Sequence, residues 1–152
     1  MFKTFVFVLT LAAAPMVFAD APVAVDADDF SGQRTQIEKD LADGDTYVEI
    51  SSADRGRVKA SLERISALLE GGKTPEALSA DQKVDLYNNQ EIINTILTQA
   101  AADSRKVCTR EAATGSNRRV TTCTTVAERT RRREKDQEAL AQSRRGLVPL
   151  RD

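Results

Sequence analysis

Two cysteines, Cys108 and Cys123, are the residues of this chain best suited to covalent chemistry. A redox-active pair is usually spaced C-x-x-C, whereas 14 residues separate these two. The chain has no histidine, so a zinc site would need carboxylate ligands, and no recognisable ligand spacing is present. We therefore favour a structural disulfide over a redox pair or a metal site.

A cluster of arginines is the second chemical feature, because guanidinium groups donate paired hydrogen bonds to phosphate and carboxylate groups. Its members lie near the C-terminus: Arg118, Arg119, Arg129, Arg131, Arg132 and Arg133. A solvated helix face with i,i+4 ion pairs has the same appearance, and that alternative stays open. The functional interpretation is a contact site for an anionic envelope component, such as the phosphates of lipopolysaccharide, or for an acidic protein surface.

The composition argues against several classes of function. Without histidine, Ser-His-Asp and Cys-His catalytic pairs are absent, and two cysteines alone cannot hold an iron–sulfur cluster. Aromatic residues make up only 5% of the chain, which argues against stacking on nucleic-acid bases. The acidic segment Asp26–Asp29 lacks the glycine and closing glutamate of a calcium loop. We expect no enzyme activity, no cofactor, no metal and no nucleic-acid partner.

Residues 1–19 are typical of a secretory signal peptide. Lys3 supplies the positive charge, an apolar run of ten residues extends from Phe5 to Ala14, and Val17 and Ala19 fit a cleavage site. The run is too short to span a bilayer, which takes about 20 residues. We predict cleavage after Ala19, a periplasmic or secreted product with no transmembrane segment, and a compartment in which paired cysteines oxidise.

Charge divides the remaining chain into two parts of opposite sign. Asp20–Asp103 contains 17 acidic and 8 basic residues, a net charge of −9. Ser104–Asp152 contains 13 basic and 6 acidic residues, a net charge of +7. Such an asymmetry predicts an interaction surface, self-association, or docking of the two halves on each other.

Hydrophobic periodicity predicts a mainly α fold. A disordered leader, 20–30, precedes an acidic helical domain, 31–103. Its helices are expected at about 32–43, 54–70 and 80–101, with the last two packed as an antiparallel hairpin.

A disulfide-linked β-hairpin is predicted over 104–124. Segments rich in Val and Thr flank the turn Thr114–Asn117. Cys108 and Cys123 are equidistant from the centre of that turn, so an antiparallel register places them opposite each other and within disulfide reach. A basic helix and tail, 125–152, follows from a capping box that starts at Thr125. Because this helix has few apolar residues, it is either a solvated arm or a surface for an anionic partner.

The same region resembles small exported proteobacterial proteins of unknown function. In that family a C-x-R-E-x-x-T-G-S segment, here Cys108–Ser116, is followed by C-x-T, here Cys123–Thr125, and then by a charged helix. Tyr47–Ser51 and Asp81–Leu97 are similar to the family's upstream portion. The resemblance implies that the two cysteines and the glycine turn are shared features, and it implies no catalytic residue.

These features predict an N-terminal helical hairpin or small bundle, a short disulfide-linked β-hairpin and a basic C-terminal helix. The favoured function is non-catalytic binding in the bacterial envelope through that basic helix. The alternative is a structural component in which the basic end of one copy docks on the acidic end of another, and a small hydrolase is the least favoured class.

Overall fold

A computed structural model describes residues 23–25, 29–112 and 114–146. Four α-helices and one two-stranded antiparallel hairpin make up this part of the chain, which confirms the predicted mainly α fold. None of its helices is both long enough and apolar enough to cross a membrane. The predicted signal peptide, 1–19, and the last residues of the predicted tail, 147–152, lie outside the described residues.

Three helices form the N-terminal body: α1 (Phe30–Asp43), α2 (Ser52–Leu68) and α3 (Ala80–Ser104). A single 3₁₀ turn at Pro75–Ala77 lies between α2 and α3. These bounds follow the predicted helices closely, with α1 and α2 starting two residues earlier and α3 ending three residues later.

Polar side chains determine where the body helices start. Ser51 Oγ accepts a hydrogen bond of 3.0 Å from the backbone N–H of Asp54 at the start of α2. Ser79 and Gln82 form a reciprocal capping box at the start of α3, with bonds of 3.0 and 3.3 Å. Because the first N–H groups of a helix have no partner within it, these side chains satisfy donors that would otherwise be free. Gly44, at φ 72°, ends α1 in a conformation that favours glycine.

The core lies mainly between α2 and α3. Six of their aliphatic side chains are fully buried: Val58, Leu62, Ile65, Leu86, Ile93 and Leu97. On the rim, Arg64 near the end of α2 pairs with Asp85 near the start of α3, as expected for antiparallel helices. Ile37 and Leu41 bury the inner face of α1 in the same cluster.

Residues 23–25 belong to the core, so the prediction of a disordered leader over 20–30 was wrong there. Val23 and Val25 are 0% and 2% exposed. The Asn94 side chain accepts a hydrogen bond from Val23 N (2.9 Å) and donates one to Val23 O (3.0 Å). The Gln33 side chain likewise accepts a hydrogen bond from Ala24 N (2.9 Å) and donates one to Ala24 O (3.2 Å). Each amide side chain bonds both the backbone N–H and the C=O of one residue, as a neighbouring β-strand would. The composition of residues 20–30 gives no sign of these contacts.

The C-terminal part consists of β1 (Lys106–Ala112), β2 (Arg119–Thr125) and α4 (Val126–Gly146). The strands are antiparallel, and Cys108 lies directly opposite Cys123 and forms a disulfide with it. The predicted hairpin, its register and its disulfide are confirmed. Strand β2 leads directly into α4 without a connecting loop.

Replacing Asn94 with Ala is expected to lower the free energy of unfolding by about 1–3 kcal/mol, because the N–H and C=O of fully buried Val23 would lose their partners. Asn88→Ala is the matched control, since Asn88 is exposed on the same helix and gains the same helix propensity. Urea unfolding of both variants measures the difference. Equal stabilities would show that the amide contributes nothing to anchoring residues 23–25.

Candidate functional site

The hairpin is stabilised by its ladder and its disulfide, because it has almost no core of its own. Every described residue of the two strands is exposed except Val107, Thr124 and Thr125, which are half-buried. An isolated two-stranded hairpin is only marginally stable in water. The cysteines are 15 positions apart, and closing a loop of that size is worth about 3 kcal/mol by the chain-entropy argument. The disulfide is therefore a main reason why the hairpin is ordered.

The alternation of side chains gives the hairpin two different faces. Cys108 and Cys123 lie on one face. Thr109 and Thr122, which are opposite each other in the ladder, lie on the other. This second face, with Thr124 beyond Thr122, faces α4.

A cleft of about 340 Å³ lies between this threonine face and the first turns of α4. It is lined by Thr109, Glu111, Thr122, Thr124, Arg129, Arg132 and Arg133. Positions i, i+3 and i+4 share one side of a helix, which is why these three arginines reach the same space. Three guanidinium groups and three hydroxyls, all hydrogen-bond donors, therefore converge on one cleft.

The three arginines of the cleft differ in their partners. Arg132 Nη2 lies 3.2 Å from Glu128 Oε1 on the same helix. Arg129 and Arg133 form no ion pair with any described residue. Arg129 is half-buried and Arg133 is exposed. The cleft thus contains two guanidinium groups that form no ion pair in the described part of the chain, and one carboxylate, Glu111.

The other predicted site residues lie elsewhere. Arg118 immediately precedes β2 and Arg119 is its first residue, so both lie at the turn end of the hairpin and outside the cleft lining. Arg131 is directed to the body, where its guanidinium donates to both carboxylate oxygens of Glu49 at 2.8 and 3.3 Å. Of the six arginines that the sequence singled out, three share the cleft, two are at the hairpin turn and one is an internal tether.

Glu49 joins the body to α4, and the sequence analysis did not identify it. Besides Arg131, its carboxylate accepts a hydrogen bond from Thr125 Oγ1, and its backbone N–H donates to Ser104 Oγ at 3.0 Å. Thr125 Oγ1 also accepts from the N–H of Glu128 at 3.0 Å, which caps the start of α4. The hydrogen bonds from Arg131 and then Thr125 lower the pKa of Glu49, whose side chain is only 15% exposed. This carboxylate therefore joins the body to the start of α4, together with the hydrogen bond that Val126 N–H donates to Arg105 O at 3.0 Å.

No family model, characterised protein or solved structure matches this chain. The resemblance to small exported proteobacterial proteins therefore stays a prediction. Interpretation of the cleft depends on its own residues and geometry.

A larger groove of about 700 Å³ lies in the body, between α1, the end of α2 and the loop that follows it. Its arginine, Arg34, is already bound to Glu38 at 2.8 Å and to Ser66 at 2.7 Å. Lys73 and Glu76 are its other charged residues, and they are of opposite sign. Among the described residues, no group of three or more metal-ligating side chains is placed to hold a metal ion. The cleft beside α4 is therefore the better candidate, although the groove is larger.

Replacing Glu49 with Gln is expected to lower the free energy of unfolding at pH 7 by about 1 kcal/mol, because the neutral amide has no charge to attract the Arg131 guanidinium and only one oxygen to accept its hydrogen bonds. The pKa of Glu49 is lowered from its ordinary value of 4.5 in the folded protein. Its charge therefore stabilises the fold above pH 4.5, and this contribution disappears as the pH falls through the lowered pKa.

Urea unfolding across the acid range should accordingly give a shallower loss of stability for Glu49→Gln than for the wild type. Glu128→Gln is the matched control, because it removes the exposed pair with Arg132 and leaves the tether in place. Parallel acid profiles for the wild type and Glu49→Gln would contradict the role assigned to this carboxylate.

Opening the disulfide is expected to release the hairpin and leave the helical body folded. In a protein with Cys108→Ser and Cys123→Ser, amide hydrogen exchange within 106–112 and 119–125 should accelerate by up to roughly a hundredfold, which corresponds to about 3 kcal/mol. Exchange at the core amides of α3, such as that of Ile93, should not change and serves as the internal control. Unaltered protection of the strands would mean that the ladder alone holds the hairpin.

Proposed function

We propose that this protein is a non-catalytic, exported protein of the bacterial envelope that binds a phosphate-bearing ligand between its hairpin and α4. The observation that carries the proposal is the cleft in which Arg129 and Arg133, without acidic partners in the described residues, lie with three threonine hydroxyls.

The donors of the cleft suit an oxyanion with several acceptor oxygens. A guanidinium group donates two parallel hydrogen bonds to a phosphate, and such charge-assisted bonds are about twice as strong as neutral ones. Hydroxyls from the hairpin approach from the opposite wall, so a phosphate between the walls accepts bonds from two directions. Because Arg129 is half-buried, its charge is screened less by water than that of a freely exposed arginine.

The distribution of charge along α4 favours a discrete site over a diffuse basic arm. Four arginines lie within 129–133, whereas 134–145 contains three acidic and three basic residues. The second half of the helix has no net charge with which to attract an extended polyanion.

Export is the second part of the proposal. The apolar N-terminal run and the site after Ala19 fit a signal peptide. The Cys108–Cys123 disulfide fits a compartment outside the reducing cytosol, where such bonds persist. In the envelope, the phosphates of lipopolysaccharide would be ligands of the required chemistry.

The alternative, self-assembly through opposite charges, has less support, because part of the complementarity is satisfied within one chain. Arg131 pairs with Glu49, and Lys106 Nζ lies 2.9 Å from Asp45 Oδ1. These contacts dock the basic part on the acidic body without a second copy.

The binding test compares two double variants that each remove two positive charges from α4. Arg129→Gln with Arg133→Gln is expected to weaken binding of glycerol 3-phosphate about tenfold, since each lost arginine removes a charge-assisted hydrogen bond. Arg144→Gln with Arg145→Gln, outside the cleft, should change the affinity little. Isothermal titration calorimetry gives the dissociation constants, and circular dichroism checks that both variants keep their helices.

Equal affinities for the two double variants would reject the cleft as the site. Sedimentation of the wild type across a salt series tests the alternative. Association that appears at low salt and increases with protein concentration would favour assembly.

A further inference from the structure

One residue of the cleft does not fit a site for a simple anion. Glu111 is the only carboxylate among the residues that line it. In β1 it lies two positions beyond Thr109, on the same face and closer to the turn. A carboxylate in this position repels a phosphate, so a site for a simple anion gains nothing from it.

Glu111 also forms no ion pair with any described residue. Arg132, which lines the same cleft, is paired with Glu128 instead. The cleft therefore contains charges of both signs that form no ion pair among the described residues, with Arg129 and Arg133 on the helix wall and Glu111 on the hairpin wall.

We infer that the cleft selects a phosphate that carries a primary amine a short chain away, the chemistry of a phosphoethanolamine group. This inference depends on the proposed function, because Arg129 and Arg133 hold the phosphate. Glu111 accepts hydrogen bonds from the ammonium group and is the residue that sets the specificity.

The spacing along the hairpin suits such a ligand. Residues two apart on a strand lie about 6.6 Å from each other, so Thr109 and Glu111 define two neighbouring positions for a phosphate and an amine.

The experiment measures two soluble probes, glycerol 3-phosphate and O-phosphoethanolamine, against wild type and Glu111→Gln by calorimetry. Glu111→Gln is expected to weaken binding of phosphoethanolamine by about three- to fivefold, the size of an exposed ion pair. The same change should strengthen binding of glycerol 3-phosphate, because a negative charge has been removed. The expected result is therefore a lower affinity for phosphoethanolamine and a higher affinity for glycerol 3-phosphate.

Glu134→Gln is the matched control, because Glu134 is an exposed acid on α4 outside the cleft lining. Glu134→Gln removes the same charge and should change the affinities for both probes slightly and in the same direction. If Glu111→Gln changed the two affinities in the same way as Glu134→Gln, the proposed amine specificity would be wrong, whereas the phosphate site would still be supported. If the wild type bound neither probe, or if Arg129→Gln with Arg133→Gln bound both normally, the proposed function itself would fall.

A competition measurement identifies the source of the group. Neutral maltoside micelles that carry phosphatidylethanolamine should displace soluble phosphoethanolamine if the cleft accepts a lipid headgroup. Micelles that fail to displace it indicate a free or sugar-linked group, and the amine-bearing phosphate is recognised in both cases.

Discussion

The carboxylate of Glu49 is the contact on which the arrangement of the C-terminal part depends. Among the residues of α4 whose burial the structure describes, 126–145, none is fully buried, so no buried apolar face fixes the position of the helix on the body. Its direction must instead come from polar contacts at its first turns. Glu49 supplies them by binding Arg131 and the capping residue Thr125 at the same time. Because both partners lie within two turns of the helix start, this side chain helps to orient the basic segment, beside the backbone hydrogen bond from Val126 N–H to Arg105 O.

This arrangement divides the arginines of α4 by function. Arg131 faces the body and neutralises Glu49, whereas Arg129 and Arg133, two residues on either side of it, face the hairpin. A helix rotates about 100° per residue, so neighbours in the sequence diverge and residues four apart converge. An apparently uniform cluster is thus separated into one arginine that pairs with the body and two that line the cleft without an ion pair among the described residues. The alternative of a solvated face with i,i+4 ion pairs describes Arg132, which pairs with Glu128 one turn away.

Most of the fold could be predicted because its determinants are local. The apolar periodicity of α2 and α3, the capping box that starts at Thr125 and the equal spacing of Cys108 and Cys123 about a turn are all readable within about 20 residues. The contacts that were missed are distant in the chain. Asn94 binds Val23 across 71 positions and Arg131 reaches Glu49 across 82. The sequence identified the arginines, but it could not show which of them share a space with the threonines of the hairpin.

Order in the hairpin and the proposed binding of a phosphate would be energetically linked. The threonine wall of the cleft exists only while the two strands are paired, and the strands have almost no core to hold them. A phosphate bonded to both walls would stabilise the paired state, because any ligand that binds only the folded form shifts the equilibrium toward it. The disulfide lowers the free energy needed to form the empty cleft, by restricting the open chain before the ligand arrives. The affinity of the proposed phosphate site should therefore depend on Cys108 and Cys123, although both lie on the face of the hairpin opposite the cleft.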